Sequence, residues 1–304
     1  MRIRRFLLST TFLSGIGMAA VMDAMLVEAA DMPIKAPYAA PPAVDGINSK
    51  FDVYGGAFDD KGIYNARGAL TIPLQGPYGV QIDGSVGSHD GDFVGAVGGH
   101  WFWRDPSRGM LGVYASYTHW DRFGGLHATH VAVEGGAFRD RWSLEGIAGV
   151  EAGNKKSSVS PVLIQTYDID TRFFDKIDLS YYLQDNLKLS IGHRYLGGKH
   201  AAALGAEYAF ALAPRTMGSV FVEGRVGEGN YRGVWGGLKV YYGQREKTLI
   251  QRHRQDDPPI WIPETLFTIL NSFGKACLPT TDAGPDSDGV SSDCPSSDLL
   301  TSDT

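Results

Sequence analysis

RWSLEGIAGVEA, residues 141–152, has an alternating pattern. Trp142, Leu144, Gly146, Ala148, Val150 and Ala152 share one face, and Arg141, Glu145 and Glu151 share the other. A repeat of two is the signature of a strand with two different environments. The same pattern sets Ile177, Leu179, Tyr181 and Leu183 against Lys176, Asp178 and Ser180. It sets Leu187, Leu189, Ile191 and Tyr195 against Lys188, Ser190 and Arg194. Working outward, twelve such segments run through 50–58, 63–74, 78–88, 92–104, 109–122, 126–138, 141–153, 172–184, 187–197, 201–212, 217–227 and 231–243. Most exceed the usual soluble strand of about 5–6 residues and match the roughly 9–11 that a tilted membrane-crossing strand needs.

A soluble barrel or sandwich would alternate in the same way, with its apolar face inside. Strand length, a meander of short connectors, and aromatic residues near strand ends favour the membrane. Trp101, Trp103, Trp120, Tyr117, Trp142, Tyr195, Tyr208, Phe210, Tyr241 and Tyr242 are the expected interfacial belts. The expected fold is all-β: an antiparallel up-and-down transmembrane barrel of about 12 strands (10–14) at residues 50–243. Gln75-Gly76-Pro77, Asp105-Pro106-Ser107, Arg139-Asp140, Gln184-Asp185-Asn186 and Ala213-Pro214-Arg215 are turn chemistry for the short connectors on one side. The one long connector, 154–171, falls on the other side. Glycine, at 39 of 304 residues, argues against a helical bundle, because each interior glycine costs roughly 1 kcal/mol of helix stability.

The flanks divide the rest. Arg2, Arg4 and Arg5, the apolar stretch from Phe6 to Ala20 and the small residues Val27, Ala29 and Ala30 read as a signal peptide over 1–30. Residues 31–49, with Pro33, Pro37, Pro41 and Pro42, read as an extended linker. Residues 244–275 hold a basic run (Arg245, Lys247, Arg252, His253, Arg254), expected as a solvated turn, with contact to headgroup phosphates or peptidoglycan acids as the alternative. Asp257-Pro258-Pro259 breaks the chain, and Leu266, Phe267, Ile269, Leu270 and Phe273 then recur at helical spacing. That helix could rest on the barrel mouth, enter it as a plug or lie on the leaflet surface; docking on the barrel is the commonest outcome. Residues 276–304 form an acidic Ser/Asp-rich tail, expected to be disordered and periplasmic. The tail's six aspartates account for the whole formal charge of −6. Its aspartates miss the EF-hand spacing, so no metal is expected. Cys277 and Cys294 are the expected disulfide of an exported chain.

The export signal, the Ala-Asp-Met-Pro-Ile-Lys-Ala-Pro stretch at 30–37 and the glycine–aromatic strands resemble the small porin-like outer-membrane β-barrel proteins of Gram-negative bacteria. The resemblance spans residues 1–243. It implies outer-membrane lipid and the barrel-insertion machinery as partners. Such barrels often end at an aromatic read by that machinery, whereas Tyr241 and Tyr242 are followed here by a further segment, so an internal version of the signal is expected. Periplasmic envelope components are the expected contacts of the tail.

The polar face is the expected lumen lining: Asp52, Arg67, Asp83, Glu134, Glu145, Glu151, Lys176, Asp178, Lys188, Arg194, Glu207, Glu223, Arg225 and Lys239. A wet lumen of this composition is a weakly selective pore for small solutes, the leading reading. A narrow one is a salt-bridged plug, which leaves a structural or surface-interaction barrel as the alternative. A barrel-embedded lipid-modifying enzyme is the third. His119 with Asp121, His127 with His130 and His193 with Ser190 are the sets to inspect, but no nucleophile elbow, zinc-protease helix or phosphate loop occurs. Neither catalytic residues nor a cofactor is expected. The net charge of −6 gives no support to nucleic-acid binding, so no nucleic-acid partner is expected.

Overall fold

A computed structural model describes residues 42–159 and 163–277. Twelve strands pair in antiparallel order and close on themselves. They are β1 (Asn48–Phe58), β2 (Lys61–Pro73), β3 (Tyr78–His89), β4 (Asp92–Asp105), β5 (Gly109–Trp120), β6 (Leu126–Arg139) and β7 (Trp142–Gly153). After an excursion come β10 (Arg172–Gln184), β11 (Leu187–Leu196), β12 (Lys199–Ala213), β13 (Thr216–Gly227) and β14 (Arg232–Tyr242). β1 seals the ring against β14, in register from Ser49 opposite Tyr242 to Phe58 opposite Gly233. Closure leaves no orphan strand edge, a requirement in lipid because each unpaired backbone group there costs several kcal/mol.

Side-chain direction settles which environment each face meets. The apolar face of the alternating pattern points outward; Val131, Leu204 and Val226 are 62, 65 and 68% exposed. The charged positions point inward: Asp52, Asp83 and Glu134 are each 1% exposed and Glu151 is 0%. A soluble barrel has the opposite sense, so the exterior is built for hydrocarbon. Val222, outward at the middle of β13, tests this. Val222→Arg is expected to cost about 2–4 kcal/mol of stability in liposomes, measured by denaturant titration, as for a charge at the bilayer midplane. A change within about 0.5 kcal/mol, the usual outcome at a watered surface, would count against a lipid-facing wall.

Two of the expected belt aromatics face the interior instead. Trp120 and Tyr241 are 1% exposed. Trp120 shares the parity of Ser116 and Thr118, and Tyr241 that of Lys239, so strand alternation turns both inward whatever their nearness to a strand end.

The long connector folds as a hairpin, β8 (Lys155–Val159) with β9 (Leu163–Asp168). A further short strand, β15 (Phe273–Cys277), pairs with β9 to complete a three-stranded sheet. Burial pushes the Tyr167 phenol of β9 up to about 12. This sheet stands at the far mouth, the end opposite the terminal mouth where β1 begins and β14 finishes. At the terminal mouth Ala43 and Val44 are buried against Phe102, Met110 and Phe138. The described end of the segment read as a linker is therefore packed, and β1 starts at Asn48. The signal peptide, most of the linker, the acidic tail and the Cys277–Cys294 disulfide lie outside the described residues or their described side chains.

Candidate functional site

The lumen is occupied by the chain itself. After β14 the backbone turns into the terminal mouth and forms α1 (Leu249–Gln255), where a solvated basic turn was expected. Gln251 Oε1 accepts from the Thr248 amide at 3.0 Å, fixing the first turn. The Leu249 amide donates to Asn186 Oδ1 and the Ile250 amide to the Asp185 carbonyl, each at 3.0 Å, so α1 is tied to the β10–β11 turn. Arg252, 1% exposed, pairs with Asp257 at 2.9 Å.

His253 sits between two phenols, Tyr182 at 2.9 Å and Tyr241 at 2.8 Å. Tyr241 donates its own proton to Glu207 at 2.6 Å, so it accepts from Nε2–H of His253, and Nδ1 accepts from Tyr182. Burial, reinforced by Lys188, holds this imidazole well below its ordinary value. It is therefore neutral, and its 3.8 Å approach to Glu207 is not an ion pair.

Pro258 and Pro259 then forbid helix and draw the backbone out along the lumen. The Pro258 carbonyl accepts from Lys50 Nζ, and Trp261 Nε1 donates to Glu134 Oε2 at 2.7 Å. α2 (Ile262–Asn271) follows, with Pro263 in its first turn. It was read as a helix that most commonly docks on the barrel; it lies inside, with nine of its ten residues buried. Its apolar contacts centre on Phe267, whose ring stacks on Trp235 at 5.1 Å and meets Phe58 at 4.9 Å. Its other contacts are polar. Glu264 accepts from Lys176 at 2.7 Å and from both terminal nitrogens of Arg225 at 2.7 and 2.9 Å. Thr265 meets Ser116 at 2.7 Å; Thr268 bonds Glu151 at 2.5 Å and His130 at 2.9 Å.

The wall around this segment is sorted by charge. The strands β10–β14 with β1 and β2 carry ten bases on the inward face (Lys50, Lys61, Arg67, Arg172, Lys176, Lys188, Arg194, Lys199, Arg225, Lys239) against four acids (Asp52, Asp178, Glu207, Glu223), a net of +6. The strands β3–β7 carry one base on the inward face, Arg104, against Asp83, Asp92, Glu134, Glu145 and Glu151, a net of −4. α2 is complementary across its width: the Glu264 carboxylate faces the basic half, and the Trp261 N–H and Thr268 hydroxyl face the acidic half.

The fourteen residues expected in the lumen fall into groups. Asp52 grips Arg67 by two bonds of 2.7 and 3.0 Å. Asp178, Arg194, Glu223 and Arg225 form a chain at 2.7, 3.4 and 2.8 Å, leading to Glu264. Gly192 makes room for it, since a Cβ there would collide with Asp178 and Arg194. Glu207 gathers Lys239 at 3.3 Å and Lys188 at 3.9 Å. Asp83 and Glu134 flank His100 at 2.8 and 2.9 Å. Glu151 pairs with Arg172 at 2.7 Å, and Glu145 lines the remaining space. Lys50, Arg104, His100 and Arg172 obey the same inward parity but were not singled out from the sequence. Glu264 and Trp261 had no strand pattern to expose them.

A cavity of about 160 Å³ remains between α2 and the basic wall. At ~30 Å³ per water that is room for about five waters, well below the roughly 300 Å³ of an ordinary ligand pocket.

The histidine sets separate. His193 points outward, bonding Asp175 at 2.8 Å and His200 at 3.0 Å, while Ser190 points inward beside Gly205, so the His193–Ser190 pair is not formed. His130 is inside and His127 is not. His119 and Asp121 form an exposed 2.8 Å contact. Among the described residues no group of three His, Cys, Asp or Glu is placed to hold a metal.

No family model matches the chain, and no curated protein matches it. Solved structures similar to it include a KdgM porin in complex with disordered oligogalacturonate, at 10% identity and TM-score 0.45, over 64% of this chain and 99% of that one. An outer-membrane channel from Pseudomonas putida F1 is similar at 10% identity and TM-score 0.46, over 69% and 99%. The translocator domain of the autotransporter NalP from Neisseria meningitidis is similar at 13% identity and TM-score 0.38, over 76% and 95%. These likenesses are too distant to carry a mechanism. By its closed ring of twelve strands, apolar exterior and charged interior, the chain has the architecture of a porin-like outer-membrane barrel.

Proposed function

We propose that the protein is a gated outer-membrane channel: a passive route for small polar solutes, closed by its own C-terminal segment. The carrying observation is Glu264, the single charged side chain of α2, held between Lys176 and Arg225 of the wall. The wall is already polar without α2, so withdrawal of the segment uncovers a wettable lumen rather than an apolar one. Opposite nets on its two halves support weak selectivity between anions and cations. The signal-peptide pattern of residues 1–30 and the apolar exterior support export to the outer membrane, with insertion machinery as the assembly partner. The apolar packing of Phe267 favours a second reading, a permanently closed structural barrel.

Planar-bilayer recording separates the two. The refolded full chain is expected to be silent or to open rarely, and a chain cut after Gln244 to give stable steps. A cut chain that shows heat-modifiable migration in detergent gels, and so is folded, yet conducts nothing would overturn the channel reading in favour of the structural one.

A further inference from the structure

We infer that the C-terminal segment threads the barrel from end to end, so that the acidic residues 278–304 are delivered to the outer face of the membrane instead of the periplasm. At the terminal mouth α1 is fixed to the β10–β11 turn, and Arg252 donates to the Tyr242 carbonyl at 3.2 Å. At the far mouth Asn271 donates to the Leu196 carbonyl at 3.0 Å, at the end of β11. Arg172 donates to the Ser272 hydroxyl at 2.7 Å, and the Asp168 amide to the Ser272 carbonyl at 3.1 Å. β15 then adds to β9 as an antiparallel strand, from Phe273 opposite Tyr167 to Cys277 opposite Leu163.

The distance covered agrees. Residues 257–260 contribute up to ~3.3 Å each, and Asp256, Trp261 and the ten residues of α2 ~1.5 Å each, together roughly 31 Å. The hydrocarbon layer is about 30 Å thick, so the segment is long enough to pass through and not merely to cap a mouth. The side follows from the connectors. All five hairpin turns at the terminal mouth are short, and the one long connector, carrying β8 and β9, is at the far mouth. Short turns face the periplasm and longer loops face outward in such barrels. The sequence beyond Cys277 contains six aspartates and no Lys, Arg or Glu. The barrel thus acts as the conduit and anchor of an anionic surface segment. This inference rests on the outer-membrane reading but not on conductance.

The test places one epitope between Ser291 and Ser292 in the full chain, with a control epitope between Pro214 and Arg215 at the terminal mouth and another in residues 160–162. Threading predicts that protease added to intact cells removes the tail and 160–162 epitopes completely and spares the 214–215 epitope until the cells are permeabilised. A tail epitope protected like the 214–215 control would overturn it. Because an inserted epitope could itself block threading, the same question is put with Ser297→Cys in a Cys277→Ser, Cys294→Ser chain and a membrane-impermeant maleimide. Labelling in intact cells supports the inference, and labelling only after permeabilisation sinks it. A failure here leaves the bilayer result for the cut chain unaffected.

Discussion

Glu264→Gln is expected to turn a silent barrel into one with frequent openings. Glu264 is 2% exposed and receives three charge-assisted hydrogen bonds, one from Lys176 and two from Arg225. Neutralising it leaves two cations facing a buried amide. Breaking a buried pair by removing one partner costs about 3–5 kcal/mol, chiefly because the surviving charge is uncompensated. At about 1.4 kcal/mol per decade this shifts the docked–undocked equilibrium by roughly 10²–10³-fold. Glu264→Lys should act more strongly, adding a third cation to the same spot. The measurements are open probability in planar bilayers and hydrogen exchange of the α2 amides, which should rise together. A triple variant, Glu264→Leu with Lys176→Met and Arg225→Met, removes charge from both sides of the contact. Replacing a whole buried ion cluster by apolar groups is often neutral, so the triple variant should be closed again. If Glu264→Gln stays silent and its α2 amides stay protected, the ion cluster is not what holds the segment in place.

The barrel was legible because its defining information is local. Each strand declares its two faces within about ten residues, and a one-residue slip would put Asp52 or Arg225 into lipid. Strand boundaries therefore differ from the sequence reading by two residues at most, as at β2, which begins at Lys61 and not at residue 63. The fourteen charged positions follow the same parity. What parity cannot show is the content of the lumen. Glu264 meets Lys176 across 88 residues and Trp261 meets Glu134 across 127, contacts with no local trace. An amphipathic pattern at 263–273 fits a helix on a mouth or on a leaflet equally well. One signal was present: Glu264 is the only charged residue between Pro258 and Ser272. The polar face of α2 is otherwise neutral (Thr265, Thr268, Asn271), a composition suited to hydrogen bonds with a buried polar wall. The belt aromatics failed for a related reason, since Trp120 and Tyr241 were placed by nearness to strand ends and not by parity.

Phe267→Ala is expected to release the far half of the segment and leave the near half docked. The Phe267 ring is 0% exposed, stacks on Trp235, meets Phe58, and lies 4.4 Å beneath the Arg225 guanidinium. Truncating a fully buried phenylalanine typically costs about 3–5 kcal/mol. The contacts of α1 with Asp185, Asn186, Tyr182 and Tyr241 are on other residues at the opposite mouth and do not depend on this ring. Hydrogen exchange should therefore accelerate through 266–277, including the β15 amides that pair with β9, while 249–255 stays protected. Gly197→Ala approaches the same contact from the wall. Gly197 has φ +61°, and a Cβ there would lie 2.5 Å from Asn271 Cβ and 2.7 Å from the Thr268 carbonyl oxygen. That substitution combines a left-handed backbone cost of about 1–2 kcal/mol with a collision against the end of α2. Both variants should give the same split pattern, with the barrel itself still heat-modifiable. Uniform loss of protection from 249 to 277 would mean that the segment docks as one cooperative unit, and that the two mouths do not hold it independently.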